Sequence, residues 1–378
     1  MLNKVKLGKL IKVHSGDGIS VEKLLDYGKY PVYGGNGING YNSDYNVPSD
    51  TLIIGRVGEK CGNTNITSVD SWVSDNALVV KPLVEYNNHY LKYLLEYIDL
   101  NSFANKNAQP VISGKIIYDI DVEYEQDIKC QQRIVTLLSD VDNLIENLQI
   151  LIDKKNKIFE SSKQRLLNGT KRYGKWKSVK IGDIGVFDGN GVDKKINEKE
   201  KKVRLLNYMD IMHNNFIYDD MSKHFVTASE EKYNKCVVKK GDIFLTPSSE
   251  TREDIGVSAV ALEDSDDLVY SYHIVRFRPT IGMDMKFRAY LFQNQKFLNQ
   301  ASKYCEGSGK RYVCSNKKFS SFELEIPLDI NEQAEIGNVL YDMESEIKML
   351  KDKLSKYKRI KDGMMEDLLT GKVRLSYE

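Results

Sequence analysis

Three loop segments of the sequence concentrate the residue types that contact nucleic acid. They are residues 55–63 together with Trp72, residues 247–252, and residues 307–316. Basic and polar side chains donate hydrogen bonds to phosphates and base edges, so these segments favour DNA binding. An ordinary surface loop is the alternative for each segment taken alone. The candidate DNA-contacting residues are Arg56, Lys60, Asn63, Trp72, Gln109, Ser248, Ser249, Thr251, Arg252, Lys310, Arg311 and Tyr312.

The segment 187–191 matches one catalytic motif but lacks its partner. Its FxGxG pattern is typical of the S-adenosylmethionine site of DNA methyltransferases, where glycines let a turn approach the cofactor. Amino-methyltransferases also need a Pro-Pro dipeptide beside an aromatic residue, and none of the seven prolines is followed by another. The first half of the chain carries the similar segment 14–18 at the corresponding place, so we interpret both segments as a shared glycine turn.

Other catalytic patterns are also incomplete. The segment 307–310 resembles a phosphate-binding loop, but that pattern needs a glycine where Tyr304 stands and a hydroxyl where Arg311 stands. The segment 200–202 contains the ExK fragment of nucleases within a lysine-rich run, which is typical of a solvated surface. His273 has no partner at a spacing that indicates a nucleophile triad. We therefore expect no catalytic residue, bound cofactor or metal site in this chain.

The composition indicates a globular protein of several domains. A length of 378 residues predicts two or three domains, and 41% hydrophobic residues suffice for real cores. Lys and Arg total 55 against 54 for Asp and Glu, so DNA affinity must come from local patches. Five cysteines without a CxxC pair favour a reducing cytoplasm, and the sequence has no apolar run long enough to predict a membrane span.

An internal repeat sets the architecture. Residues 5–10 recur as residues 179–184, and each copy is followed by a Gly-x-Gly segment. Residues 131–169 align without a gap onto residues 333–371, closing with LLNG in one copy and LLTG in the other. The two halves therefore share one plan, and a repeat of this kind decides the architecture before any motif does.

Apolar residues at heptad spacing predict a helix of about 40 residues at the end of each half, roughly 60 Å long. Gly169 and Gly371 stand where helix C-caps occur, and Pro327 with Asp329 stands where the second helix should begin. Two such helices can pair antiparallel and bury their apolar stripes. In the first helix the stripe is broad and also includes Leu137, Leu144, Leu151 and Ile158. The residues expected to form the pairing seam are Ile134, Val141, Ile145, Leu148, Ile152, Phe159, Ile336, Leu340, Met343, Ile347, Leu350 and Leu354.

The remaining part of each half predicts a mixed α+β fold. Short apolar runs alternate with clusters of Gly, Asn, Asp and Ser, which indicates strands joined by irregular loops. Helical patterns occur at 89–98 and 287–298, and the Gly-, Asn- and Tyr-rich stretch 33–46 predicts a long loop or hairpin tip. The strand-like runs are 51–54, 77–80 and 242–245.

With this repeat and these motifs, the chain resembles the specificity subunit of type I restriction-modification systems over essentially its whole length. The resemblance implies an α+β fold of two mixed α/β target-recognition domains separated by two long helices, which form an antiparallel coiled coil with a pseudo-twofold repeat. The recognition domains would be residues 1–126 and 173–326, and the conserved helical regions 127–172 and 327–378. Besides the duplicated plan, the resemblance is carried by the motifs Tyr33-Gly34-Gly35-Asn36-Gly37, Gly55-Arg56-Val57-Gly58, Ser74-Asp75-Asn76-Ala77, Gly241-Asp242-Ile243-Phe244, Thr246-Pro247-Ser248-Ser249-Glu250-Thr251 and Leu368-Leu369-Thr370-Gly371-Lys372-Val373.

The resemblance also implies a non-catalytic, DNA-reading function. Each recognition domain would bind one half of a bipartite double-stranded DNA site, and the site would be asymmetric because the domains differ in sequence. The helices would hold two methyltransferase subunits and, through them, the restriction and translocation subunits. S-adenosylmethionine would be bound by the methyltransferases, with no cofactor on this chain. The implied location is cytoplasmic, without a membrane partner.

Two other interpretations stay open at this point. A self-contained DNA-modifying or nicking enzyme would need an active site that the motifs above do not complete. A coiled-coil scaffold that never binds DNA would leave the polar loops as ordinary surface. Turnover by the purified chain would favour the first interpretation. Failure to shift DNA, with and without methyltransferase subunits, would favour the second.

Helix length predicts the spacing of the two half-sites. Two readers held by helices of roughly 60 Å suit half-sites about one DNA turn apart, roughly 34 Å. Deleting one matched turn from both helices should therefore change the spacer and leave both half-sites intact, which sequencing of methylated sites would measure. An unchanged spacer would contradict the idea that the helices act as a ruler.

Overall fold

The fold is known from a computed structural model that describes residues 2–105, 109–168 and 174–375. The chain divides into two compact units, one comprising Met1–Ile150 with Asp352–Glu378 and the other comprising Leu151–Lys351. Each unit contains one globular domain and a segment of each of the two long helices. Among the described helices, none combines the length and the apolar character that crossing a membrane requires.

The first half of the chain alternates short strands with helices and ends in a long helix. Short 3-10 helices lie at Leu7–Lys9, Val21–Lys23 and Leu100–Phe103. The strands are β1 (Leu2–Lys6), β2 (Ile11–Ser15), β3 (Tyr30–Gly34), β4 (Gly37–Asn42), β5 (Leu52–Gly55), β6 (Thr64–Ile66), β7 (Trp72–Val73), β8 (Ala77–Pro82) and β9 (Asp121–Glu125). The α-helices are α1 (Asn88–Ile98), α2 (Gly114–Asp119) and α3 (Ile128–Leu167).

The second half has the same order with additional elements, and a 3-10 helix lies at Leu291–Gln293. The strands are β10 (Trp176–Lys180), β11 (Gly185–Asp188), β12 (Lys201–Leu206), β13 (Phe216–Ile217), β14 (Phe225–Ala228), β15 (Ile243–Leu245), β16 (Ser248–Ser249), β17 (Ser258–Ala261), β18 (Leu268–Tyr270), β19 (Val275–Pro279), β20 (Glu306–Ser308), β21 (Arg311–Val313) and β22 (Glu323–Pro327). The α-helices are α4 (Ile181–Ile184), α5 (Tyr208–Met212), α6 (Glu230–Cys236), α7 (Met285–Tyr290), α8 (Gln295–Tyr304), α9 (Asn316–Ser321) and α10 (Ile330–Leu369).

The first domain is built on a sheet of order β2-β8-β5-β6. Strand β5 is a run of apolar residues because both of its faces are covered: Leu52 and Ile54 are buried in one core, and Ile53 is buried in another. A second sheet has the order β4-β3-β7. It contains the hairpin predicted within the stretch 33–46, since β3 and β4 pair antiparallel.

The second domain repeats this arrangement and extends it. Its main sheet has the order β11-β19-β15-β17-β13, and its second sheet has the order β14-β12-β18. In both domains the middle strand of the three-stranded sheet pairs antiparallel with one neighbour and parallel with the other. The predicted strand runs are confirmed as β5, β8 and β15. The sequence repeat is therefore a repeat of the fold, and the α+β prediction is confirmed.

A two-stranded ribbon closes each domain just before its long helix. Strand β1 pairs antiparallel with β9, with Val5 opposite Val122. Strand β10 pairs in the same way with β22, with Val179 opposite Leu324. The repeated segments that open the two halves are therefore the first strand of each ribbon together with the helical turn that follows it.

The two long helices begin and end as the sequence predicts. Each is 40 residues long. The carboxylates of Asp127 and Asp329 accept backbone N–H groups of the first turn at 2.8 and 2.9 Å, which caps the helices. Gly371 follows α10 with φ +65°, the left-handed conformation of a C-cap. The corresponding Gly169 lies outside the described residues.

In the first unit the segments of α3 and α10 run antiparallel. Near the start of α3, Ile134 shares a hydrophobic core with Leu368 near the end of α10. Further along α3, Asp142 contacts Lys361, which lies earlier in α10, at 2.7 Å.

The second unit shows the same direction of pairing between the other two segments. Phe159, in the last third of α3, shares a core with Leu340, near the start of α10. Lys155, earlier in α3, contacts Glu346, later in α10, at 2.6 Å. The antiparallel arrangement predicted for the helices is therefore present within each unit.

Nine of the twelve residues expected to form the pairing seam are buried. Heptad-spaced side chains lie on one face of a helix, and that face is the one covered by the partner segment in each unit. The buried seam residues are Ile134, Val141, Leu148, Ile152, Phe159, Ile336, Leu340, Ile347 and Leu354. The partly exposed ones are Ile145, Met343 and Leu350.

One side of the broad apolar stripe of α3 is left partly exposed. Leu137, Leu144, Leu151 and Ile158 are 38%, 46%, 38% and 48% exposed. Leu137, Leu144 and Leu151 each lie three positions after a seam residue, about 60° around the helix axis, and Ile158 continues their heptad. A repeat of seven drifts further to that side with every heptad. The partner segments cover the opposite side of the seam, where Leu138 and Ile152 are buried.

The prediction of one continuous helix at 287–298 is also wrong. The backbone is extended at Asn294, which separates α7 and its 3-10 turn from α8. The Asn294 side chain accepts the N–H of Lys296 and donates to the C=O of Leu167 at 2.7 Å. A single capping residue thus divides the helix without interrupting its apolar pattern. The predicted helix at 89–98 is confirmed as α1.

A buried glutamine joins each domain to the long helix that follows it. Gln131 is 0% exposed; its Oε1 accepts the N–H of Asn87, which caps α1, at 2.8 Å, and its Nε2 donates to the C=O of Glu125 in the ribbon at 2.7 Å. Gln333 is 3% exposed and makes the same two bonds in the second unit, with the N–H of Asp284 at 3.0 Å and the C=O of Pro327 at 2.9 Å.

A buried tyrosine supplies a second matched attachment. The hydroxyl of Tyr93 in α1 donates to Asp142 of α3 at 2.8 Å. The hydroxyl of Tyr290 in α7 donates to Glu344 of α10 at 2.8 Å. Burial and the neighbouring carboxylate raise the pKa of both tyrosines, so each hydroxyl keeps its proton and remains a donor. Each domain is therefore attached to its helix at two points.

Replacing the buried glutamines tests this attachment. Gln131→Ala and Gln333→Ala should each reduce the free energy of unfolding by about 2–3 kcal/mol, because a buried N–H and a buried C=O lose their partner. Urea unfolding followed by circular dichroism measures the change. Gln126→Ala, at an exposed position just before α3, is the matched control and should cost less than about 0.5 kcal/mol. Equal losses in all three variants would contradict the assigned role.

Candidate nucleic-acid interface

In each domain, two loops are hydrogen-bonded to each other where a central strand of the main sheet ends. In the first domain the loop after β5 meets the segment before α2, where the N–H of Ile112 donates to the C=O of Arg56 at 3.0 Å. In the second domain the loop after β15 meets the segment before α9, where the N–H of Cys314 donates to the C=O of Pro247 at 2.8 Å. The same backbone contact therefore brings together candidate segments that are distant in the sequence.

Arg56 lies directly after β5 and reaches the end of β2. Its Nη1 donates to the hydroxyl of Ser15 at 3.0 Å, and that hydroxyl donates to the C=O of Asp75 at 3.3 Å. A guanidinium carries five N–H donors, so the bond to Ser15 orients the group and leaves donors for a phosphate or a base edge. The structure thus places Arg56 at the loop surface in an oriented conformation.

The other candidates of the first domain lie on the surface of the same pair of loops. Lys60 and Asn63 line a cavity of about 340 Å³ whose wall also includes acidic side chains. Gln109 is exposed, and the next residue, Pro110, accepts the N–H of Gly58 at 2.9 Å. Because carboxylates lower the positive potential beside Lys60, the surface around Arg56 is the more favourable place for a phosphate.

Trp72 has a structural role that its residue type does not reveal. Its indole N–H donates to the C=O of Asp17 at 3.1 Å, and the Asn46 amide donates to the Asp17 carboxylate at 2.8 Å. The N–H of Asp17 in turn donates to the C=O of Val73 at 3.0 Å. These bonds fix the loop after β2 against β7. A DNA contact by Trp72 stays a prediction, and only the face of its ring is available for one, since indole has a single donor.

The two glycine segments pass close to neighbouring backbone. A Cβ atom on Gly16 would lie 2.3 Å from the carbonyl oxygen of Val73. One on Gly191 would lie 2.4 Å from the carbonyl oxygen of Ser271. Any side chain would collide with the backbone of the adjacent strand, so glycine is required for the close approach.

Residues of the incomplete catalytic motifs have structural partners. Asp188 pairs with Arg276 at 2.9 Å. Burial opposes ionisation of Asp188, but hydrogen bonds from Asn190 and the Arg276 charge hold its pKa below the usual value. Glu200 accepts the hydroxyl of Thr227 at 3.3 Å. Within the ranges that the structure describes, no group of three or more His, Cys, Asp or Glu side chains is arranged to hold a metal ion.

Lys310 and Arg311 belong to a β-hairpin rather than to a phosphate-binding loop. Strands β20 and β21 pair antiparallel around the turn Gly309-Lys310. Strand β16 pairs with the other edge of β21, and Nη2 of Arg311 donates to the hydroxyl of Ser248 at 2.9 Å. Two candidates from different segments are thus in direct contact.

The other candidates of the second domain hold its loop in shape. The hydroxyls of Thr251 and Ser249 donate to the same oxygen of Asp254, at 2.6 and 3.3 Å. The Arg252 guanidinium lies 4.5 Å from the centre of the Tyr312 ring, a cation–π contact. These contacts rigidify the loop, and direct binding of DNA by these four side chains stays a prediction.

A cavity of about 670 Å³ adjoins the hairpin and the loop after β15. His273 lies in its wall; burial, and then the positive charges of Lys194 and Arg311, lower its pKa, so the imidazole is neutral at pH 7. Helix α5 supplies another wall of this cavity, which the sequence did not predict. The α5 residues form no motif, and they lie far in the sequence from the loop after β15. The α5 residues are Tyr208, Met209 and Met212.

The duplicated domains, each followed by a long helix and each presenting a joined pair of polar loops, define a class of DNA-specificity proteins. A family profile described as the type I restriction modification DNA specificity domain matches residues 2–155 and 173–358. The chain therefore belongs to this family, with one match in each half.

Individual relatives agree with the family. The chain is 28% identical over 146 residues to the type I restriction enzyme EcoprrI specificity subunit of Escherichia coli, a region that covers 38% of this chain and 36% of that subunit. It is 25% identical over 317 residues to the MjaVIII specificity subunit of Methanocaldococcus jannaschii, covering 76% of this chain and 70% of that one.

Solved structures share the fold. The S subunit of a type I restriction-modification system from M. genitalium superposes with a TM-score of 0.66 at 15% identity, covering 98% of this chain and 96% of that one. A chain from a structural study of complex assembly and conformational transition in the type I R-M system gives 0.59 at 11% identity, covering 97% of both chains. At these identities the likeness concerns the fold alone.

Proposed function

We propose that this chain is the DNA-reading subunit of a type I restriction-modification complex and that each domain reads one half of a bipartite, asymmetric site. The observation that supports this most strongly is the pair of joined loops, which recurs in both domains on the same backbone contact. The side chains on the two pairs differ: Arg56 and Gln109 stand in the first domain, Ser248 and Arg311 in the second. The same loop arrangement carrying two different sets of hydrogen-bonding side chains suits two different half-sites.

The proposal assigns no catalytic step to this chain. The glycine segments let the chain approach neighbouring backbone, and the acids of the incomplete motifs have partners. Asp17 accepts the Asn46 amide, Asp188 pairs with Arg276, and Glu200 accepts the Thr227 hydroxyl. Methyl transfer and its S-adenosylmethionine would belong to partner methyltransferase subunits, and cleavage to restriction subunits attached through them. The site of action would be the cytoplasm, where the DNA and these partners are present.

The exposed apolar face of α3 supports the proposed methyltransferase contact. Leu137 and Leu144 in the first unit, and Leu151 and Ile158 in the second, present large apolar side chains at heptad spacing. Rows of apolar side chains on one helix face are typical of surfaces that a protein partner covers. We propose that one methyltransferase subunit contacts each unit through this face.

The near-neutral charge of the chain also favours an assembly. Phosphate neutralisation supplies much of the affinity of DNA-binding proteins, and this chain carries almost no net positive charge. The isolated chain would therefore bind DNA weakly. In the complex the methyltransferase subunits would add phosphate contacts, while this chain would select the sequence.

Co-expression with the methyltransferase subunits of the same restriction-modification system tests the proposal. We expect methylome sequencing to return one interrupted motif with two unlike halves, and we expect the purified chain alone to leave DNA unmodified. A chain that methylates or nicks DNA without partners would support the self-contained enzyme instead.

A gel shift completes the test. DNA carrying the methylated motif should be retained by the complex far better than a scrambled duplex. Equal retention of both duplexes, or of neither, would support a scaffold without sequence recognition.

A further inference from the structure

We infer that Gln109 and Arg311 occupy one equivalent position in the two domains and that each selects a single base, Gln109 an adenine and Arg311 a guanine. The inference rests on the proposed function, because it concerns which bases the two domains read. It assigns a specificity-determining residue to each half-site. The two positions are equivalent in the backbone, and their side chains differ in hydrogen-bonding chemistry.

The helices that follow fix the alignment of the two positions. Ser113 caps α2, with its side chain accepting the N–H of Ile116, and Ser315 caps α9, with its side chain accepting the N–H of Lys318. Gln109 stands four residues before the first capping serine, and Arg311 stands four residues before the second. The two α-helices that begin there have the same length.

The residues between these points make matched contacts. Ile112 and Cys314, each directly before a capping serine, are buried at 0% and 1% exposure. They donate to the C=O of Arg56, the first residue after β5, and of Pro247, the second residue after β15. One residue earlier, Val111 pairs antiparallel with Val57, as Val313 pairs with Ser248. The backbone is therefore in register across both segments.

Hairpin pairing extends the register on the other side. The backbone of Val111 exchanges two hydrogen bonds with Asn105, at 3.0 and 3.1 Å. Val313 pairs antiparallel with Glu306 in β20. Arg311 lies in β21, the returning strand of its hairpin, and Gln109 lies two residues before Val111, as Arg311 lies two residues before Val313. Gln109 and Arg311 are both exposed there, at the surface that the joined loops form.

The chemistry of the two side chains differs in a way that base edges distinguish. An amide presents one acceptor and a donor, which match N6 and N7 of adenine in the major groove. A guanidinium presents only donors, and two of them match O6 and N7 of guanine. Because the backbone that follows the two positions is in the same register, the difference between Gln109 and Arg311 becomes a difference in the base preferred at one position of each half-site.

The surroundings of Arg311 prepare it for this role. Its Nη2 is held by the Ser248 hydroxyl at 2.9 Å, which orients the plane of the guanidinium. The neutral His273 beside it adds no competing charge. Ser248 is thus a positioning residue. Ser248→Ala should lower the preference for guanine in the half-site that the second domain reads, without changing the other half-site.

Exchanging the two side chains tests the inference in the assembled complex. Gln109→Arg should convert one adenine of one half-site to guanine, and Arg311→Gln should convert one guanine of the other half-site to adenine. Methylome sequencing of cells that express each variant with its methyltransferase measures both changes. The preference at the affected position should shift by roughly ten- to a hundredfold. The second half-site and the spacer should stay as in the parent protein.

Matched controls separate base reading from charge. Gln126→Arg adds the same charge at an exposed position of the first unit, and Lys240→Gln removes one at an exposed position of the second. Neither should alter the motif. Gln109→Ala and Arg311→Ala provide a second pair, which should leave the affected position degenerate because no donor remains to discriminate.

Two results would overturn the inference, and they differ from failure of the proposed function. A motif with every base unchanged in both exchange variants would exclude these residues as readers. Uniformly weaker methylation with the same motif would make them phosphate contacts. If the parent complex itself yields no motif, the proposed function fails and this inference fails with it, before any variant is compared.

Discussion

Two buried glutamines carry the constraint on which the arrangement of each domain depends. Gln131 and Gln333 each accept a hydrogen bond from the backbone N–H of the residue whose side chain caps a domain helix, and each donates one to the last strand before the long helix. A glutamine amide has both a donor and an acceptor, so one side chain can satisfy two buried backbone groups from different elements. The orientation of each domain on its helix is thereby specified by polar contacts, which are more directional than apolar packing alone.

This attachment separates the frame from the recognition surface. The ribbon, the capped domain helix and the start of the long helix form one end of each domain, and the joined loops extend from the edge of the main sheet. Since the glutamine contacts involve none of the loop residues, the loops can differ between the domains without disturbing the frame. The first domain uses a segment that presents Arg56, and the second replaces it with a strand that pairs with a basic hairpin.

The sequence predicts the repeated parts of the fold because they rest on local or periodic signals. Helix length, the Asp329 cap and the heptad-spaced seam follow from spacing and residue type. The structure has two helices of 40 residues, a cap at Asp329 and nine buried seam residues. The exposure of Leu137 and Leu144 does not follow, because burial depends on which side of the seam the partner covers. The division at Asn294 was also missed, since a capping residue can interrupt a helix while the apolar pattern continues.

The candidate site was predicted in its composition but not in its assembly. Loops 55–63, 247–252 and 307–316 were recognised by their polar and basic residues. Their pairing depends on backbone hydrogen bonds between distant segments, which no spacing reveals. The hydrogen bond from Trp72 to Asp17 and the cavity wall supplied by α5 were not predicted either, because only tertiary contacts define them.

Hydrogen–deuterium exchange of the complete complex tests the central claim most directly. The complex would be compared with and without a duplex that carries its methylated motif. The account predicts slower exchange on DNA binding at 55–63 and 109–113 in the first domain and at 247–252 and 306–314 in the second, with the ribbons β1–β9 and β10–β22 unchanged. Protection of the ribbons without protection of these loops would contradict it.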